Sequence, residues 1–91
     1  MKVVAGRLSR ELGIAFQVRE SAYRGGEYFL FDLPSGGEVS VERNYEDEEG
    51  FLMEADFPDF STLVYLSDVE DSTVVAVSRL SGFVELRREE L

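Results

Sequence analysis

The apolar residues of this chain change their period at Ile14, and that change limits the fold more than any other feature. Before it, Val4, Leu8 and Leu12 recur four residues apart while Arg7, Arg10 and Glu11 face elsewhere, the row expected on one side of a helix. Gly13 suits the position after such a helix, so a short N-terminal helix is predicted over residues 2–12. Beyond it, Ile14, Phe16 and Val18 alternate with Ala15, Gln17 and Arg19, the two-residue period of a half-buried strand.

The rest of the chain is cut into short pieces by Gly25-Gly26, Pro34-Ser35-Gly36-Gly37, Gly50, Pro58 and Gly82. Between the first two breaks, Tyr28 to Leu33 is apolar on both faces and reads as a central strand. After the Pro34 to Gly37 turn, Val39 and Val41 point inward while Glu38, Ser40 and Glu42 point out, giving a third strand with an acidic outer face. Residues 44–50 form an exposed loop. Phe51, Met53, Ala55 and Phe57 alternate with Leu52, Glu54 and Asp56 as a fourth strand stopped by Pro58, and Thr62 to Ser67 form a fifth. Residues 72–82 read either as a helix behind an Asp or Ser cap or as a hairpin turning at Ser81-Gly82. The cap and the following glycine favour the helix, with a last strand from Phe83 to Arg88. The expected class is therefore α+β: one compact domain over residues 1–91, with an antiparallel sheet of five to six strands, an N-terminal helix and a second helix before the last strand.

Composition excludes most chemistry. The 91 residues include no His, Cys or Trp. Without histidine or cysteine there is no Ser-His or Cys-His nucleophile pair, no thiolate, no disulfide and no usual structural zinc site. Neither glycine pair is followed by Lys-Ser/Thr or opens a Gly-x-Gly-x-x-Gly helix, so hairpin turns explain them better than a phosphate loop. A calcium loop aligned on Gly50 puts Tyr45 at its first position and Asp56 at its twelfth, which fails the ligand pattern. Glu54 and Asp56 on one strand face would lie roughly 6.7 Å apart, yet nothing marks a pocket or a raised pKa that paired-carboxylate chemistry needs. No enzymatic activity, cofactor or metal is expected. Arg7 and Arg10 interrupt the start where a signal peptide would be apolar, and no run approaches a membrane span, so a cytoplasmic location is expected.

The distribution of charge is more informative than its sum. A formal net charge of −10 resolves into +1 over residues 1–37, −11 over residues 38–71 and 0 over residues 72–91. One lysine in the whole chain makes a nucleic-acid groove hard to build, whereas a concentrated acidic face attracts basic protein surfaces. The carboxylates expected on that face are Glu38, Glu42, Glu46, Asp47, Glu48, Glu49, Glu54 and Asp56, with Asp59 beside them. Tyr45 and Phe60, aromatic residues within the acidic stretch, are the expected anchors.

In size, charge and layout, with Tyr45-Glu46-Asp47-Glu48-Glu49 as the local feature, the chain resembles the small acidic immunity proteins of bacterial contact-dependent and polymorphic toxin systems. That resemblance implies a non-catalytic protein that shields the cell by blocking the basic surface of a toxin or nuclease domain, without contacting nucleic acid or membrane itself. Two other readings stand beside it: an adaptor or chaperone module that takes a partner segment as an added strand, and a nucleic-acid-mimicking inhibitor.

Overall fold

In the computed structural model, which describes residues 1–34, 36–46 and 48–86, the chain is α+β, with two helices and a four-stranded antiparallel sheet. Helix α1 spans Lys2–Leu12. Strand β1 (Gln17–Ser21) follows, then a single 3-10 turn at Ala22–Arg24, strand β2 (Gly26–Asp32) and strand β3 (Glu38–Arg43). Strand β4 (Thr62–Ser67) and helix α2 (Asp71–Ser78) complete the described elements. The sheet is a meander in the order β1-β2-β3-β4, each strand antiparallel to the next.

Both helices pack on one side of this sheet because the period in each element points its apolar residues the same way. The register sets Phe29 opposite Val41 and Val41 opposite Val64, a single apolar row across three strands. Ala5 and Leu8 of α1 and Val77 of α2 close over Phe29 and Val41, with Val4, Leu12, Phe16, Leu66, Leu80 and Phe83 packed around them. Helix α1 ends at Gly13, and the Ser9 carbonyl accepts from the backbone N–H groups of both Gly13 and Ile14. The Arg7 guanidinium of α1 lies 5.1 Å from the centre of the Phe83 ring, which ties the segment after α2 back to the first helix.

Four expectations are corrected. The strand at residues 51–57 does not form: the chain makes one isolated bridge, Glu46 to Leu52, and then turns. Residues 83–86 are not a strand, and residues 87–88 of that expected element lie outside the described ones; among the described residues the sheet has four strands rather than the expected five or six. Val18, expected inward, is 60% exposed, because β1 is an edge strand. Of the two readings of residues 72–82 the helix holds, as α2 over Asp71–Ser78, but the expected Asp or Ser cap does not form: Glu70 takes the cap position without a side-chain cap bond and Asp71 lies in the first turn.

Candidate binding surface

The other face of the sheet, away from the helices, is where the acidic residues were expected, and it is partly covered. The register that turns Val39 and Val41 toward the helices turns Glu38, Ser40 and Glu42 away from them, beside Leu63, Tyr65 and Ser67 of β4. Ser40 and Glu42 are nonetheless only 2% and 7% exposed. Glu42 therefore does not belong to an open acidic face. Its carboxylate accepts from the Ser40 hydroxyl at 2.8 Å and pairs with Arg24 at 3.6 Å, so the buried charge is both hydrogen-bonded and compensated. The Arg24 guanidinium also sits 4.5 Å above the Tyr28 ring.

The cover comes from residues 44–61, which leave β3 and return to β4. Asn44 organises this segment. Its side-chain amide donates to the carbonyls of Phe60 at 2.9 Å, Phe57 at 3.1 Å and Glu54 at 3.4 Å, and its oxygen accepts from the Glu54 N–H at 2.8 Å. One short polar side chain thus satisfies backbone groups that would otherwise belong to no ladder. Glu54 is held to the sheet as well, because the Tyr65 hydroxyl donates to its carboxylate at 3.2 Å. It is half-buried, and its pairing with Asp56 on a common strand face is lost with the strand itself.

Tyr45 links the same segment to the turn between β1 and β2. Its hydroxyl donates to the Tyr23 carbonyl at 2.8 Å, and its ring lies so close to Gly25 that a Cβ there would fall 2.6 Å from the ring carbon Cγ. The expected anchor at Tyr45 is therefore engaged within the chain and half-buried. Phe60 is half-buried too, with its carbonyl bonded to Asn44.

Of the expected carboxylates, Glu46, Glu48, Glu49, Asp56 and Asp59 are exposed on this one segment, while Glu38 is half-buried at the end of β3 opposite Asp32. Asp47 lies outside the described residues. Apolar side chains absent from the expected set stand among the acidic ones: Phe51 is 63% and Met53 41% exposed, and Tyr23, on the adjoining turn, is 87% exposed. Their alternation in the sequence imitates a strand with one buried face, so only the tertiary pairing shows that they remain outside.

Two open depressions of about 370 and 430 Å³ lie between α1 and the helix-covered face, the first lined by Met1, Lys2, Val3, Glu27, Phe29 and Arg43. Neither brings two carboxylates together, and among the described residues no three acidic side chains converge as a metal site would require. No described helix is long and apolar enough to cross a membrane. Comparison with protein-family models, curated proteins and solved structures returned no match.

Proposed function

We propose that this chain is a non-enzymatic binding protein that uses the acidic segment between β3 and β4 to dock on and block a basic protein surface. The observation that carries this reading is the placement of Glu46, Glu48, Glu49, Asp56 and Asp59, all exposed on one segment whose backbone is pinned by the Asn44 side chain. Charge held on a fixed scaffold steers a partner and orients it at lower entropic cost than charge on a loose loop. Concentrating like charges also costs self-repulsion, which scattered solubilising charge would avoid. Immunity proteins that neutralise a nuclease-type toxin in the bacterial cytoplasm are the class that best fits such a surface.

The test is rescue of growth in cells expressing a basic toxin domain encoded beside this chain, together with the affinity of the purified pair. Rescue is expected to disappear with Glu46→Lys and Glu48→Lys together, and affinity to fall by about tenfold or more, steeply with added salt. A pair whose binding ignores both salt and these substitutions would sink the proposal. The adaptor reading keeps one supporting observation: among the described residues β1 is an edge strand, and its residues 17–20 are exposed.

A further inference from the structure

The helices do not cover all of their own side of the sheet. The second of the two depressions beside α1 shares Lys2 and Phe29 with the first and adds Gly6, Ser9, Ala15 and Phe16. The two therefore adjoin as one groove that follows α1 from Lys2 to Ser9, about 10 Å at the rise of a helix. Its floor is apolar: the Phe29 ring meets Phe16 edge to face, with ring centres 6.4 Å apart. Gly6 is a residue the packing of the chain does not explain. It lies inside α1, where glycine weakens a helix relative to alanine, and a Cβ there would meet no atom of another element within 4 Å. Its bare backbone leaves the groove open.

Charge distinguishes the two ends. Lys2, the only lysine of the chain, and Arg43, the only basic residue from 38 to 71, both line the first depression. Among the described residues neither is in an ion pair. Glu27 is the one carboxylate on that lining, so a single positive charge is left over. The second depression has no charged residue on its lining besides Lys2. The acidic segment between β3 and β4 covers the opposite face of the sheet, and salt near physiological strength shortens the reach of its charges to about 8 Å.

We propose that this groove binds a small amphipathic carboxylate, with its head toward Lys2 and Arg43 and its alkyl chain along Phe29 toward Gly6 and Ala15. The site is independent of the acidic docking surface. Depressions of about 370 and 430 Å³ with an apolar floor and a few charged groups at one end have the size and make-up of small-molecule sites. Charge selects the head. One carboxylate matches the single excess positive charge, whereas a phosphate dianion would place a second negative charge beside Glu27. A second copy of this chain, at a net charge of −10, would bring its own repulsion.

Octanoate and its uncharged counterpart octanol, each titrated into the full chain and followed by backbone amide shifts in NMR spectra, test the site. Octanoate is expected to shift the amides of Lys2, Gly6, Ala15 and Phe29. Lys2→Ala with Arg43→Ala should weaken octanoate about threefold to tenfold and leave octanol within about twofold, since only the head loses its partners. Gly6→Leu should fill the groove and weaken both ligands by about tenfold or more. Its unfolding midpoint should hold or rise, because leucine favours the helix, and that measurement separates a filled groove from a damaged fold. No binding of octanoate, shifts confined to amides outside the groove, or an octanoate affinity that either set of substitutions leaves unchanged would overturn the proposal while leaving the acidic docking surface standing.

Discussion

Asn44 ties three distant backbone positions together through one side chain. Its amide meets three carbonyl oxygens and its own oxygen meets an N–H, so the two ends of the group are not interchangeable. Asn44→Ala leaves those backbone groups to water or to nothing and is expected to lower stability by about 1–3 kcal/mol. Asn44→Asp should be worse than alanine, because it replaces the donating amide with a second acceptor facing the same carbonyls. Urea unfolding of the two variants, with hydrogen exchange at the Glu54 amide, checks the order; an Asp variant as stable as the parent would show that the three carbonyls do not depend on this donor. Gly25 is the second residue on which the segment turns. Its φ of +78° lies in the left-handed region, and the space a Cβ would need is filled by Tyr45. Gly25→Ala combines both costs. Adding Tyr45→Ala should recover the steric part and leave the backbone part of about 1 kcal/mol, so the double variant is expected to lose less than the two single losses added together.

At the scale of elements, the parts of the fold that were legible in the sequence are those in which one residue's neighbours along the chain decide its environment. The four-residue row Val4, Leu8, Leu12 and the glycine after it are enough to fix α1, and Leu8 is fully buried where the period puts it. Leu8→Ala should cost about 2–5 kcal/mol in denaturant unfolding, with the spread set by how far α1 can settle onto Phe29 and Val41. Strands β2, β3 and β4 were legible for the same reason. The alternation of Phe51, Met53, Ala55 and Phe57 was misleading, since a period of two reports a strand only when a ladder is available to pair it, and the Asn44 side chain takes up the backbone groups of Glu54, Phe57 and Phe60 instead. The burial of Glu42 was illegible because its cover and its partner, Arg24, come from other parts of the chain. One feature of the β2–β3 pair runs against its own stability: Asp32 sits directly opposite Glu38. Like charges in a cross-strand pair are unfavourable, so Asp32→Lys is expected to stabilise the protein by about 0.5 kcal/mol in thermal or urea unfolding; no gain would mean that the two carboxylates do not oppose each other.

Across the whole molecule, the acidity divides into carboxylates at the covered face of the sheet and carboxylates exposed to solvent. Glu42 is paired with Arg24, and Glu54 accepts from Tyr65, so both carboxylates contribute to holding the covered face of the sheet. Glu46, Glu48, Glu49, Asp56 and Asp59 lie exposed along one segment, in a stretch of 34 residues from 38 to 71 that contains a single basic side chain, Arg43. At low ionic strength these charges repel over distances comparable with the segment itself, and salt near physiological strength shortens that reach to about 8 Å. The folded state holds the charges closer together than the unfolded chain does, so added salt should raise the unfolding midpoint, and most of the gain should come at the low end of the range. The two groups of carboxylates then respond oppositely to substitution. Glu48→Lys is expected to hold or slightly raise the midpoint and to flatten its dependence on salt, because one repulsive charge has been replaced by an attractive one. Glu42→Lys places a second cation beside Arg24 in a buried position and should lower the midpoint at every salt concentration. A midpoint that falls as salt is added would mean that the exposed carboxylates stabilise the fold through attractive pairs, in which case their concentration on one segment would need no partner to account for it.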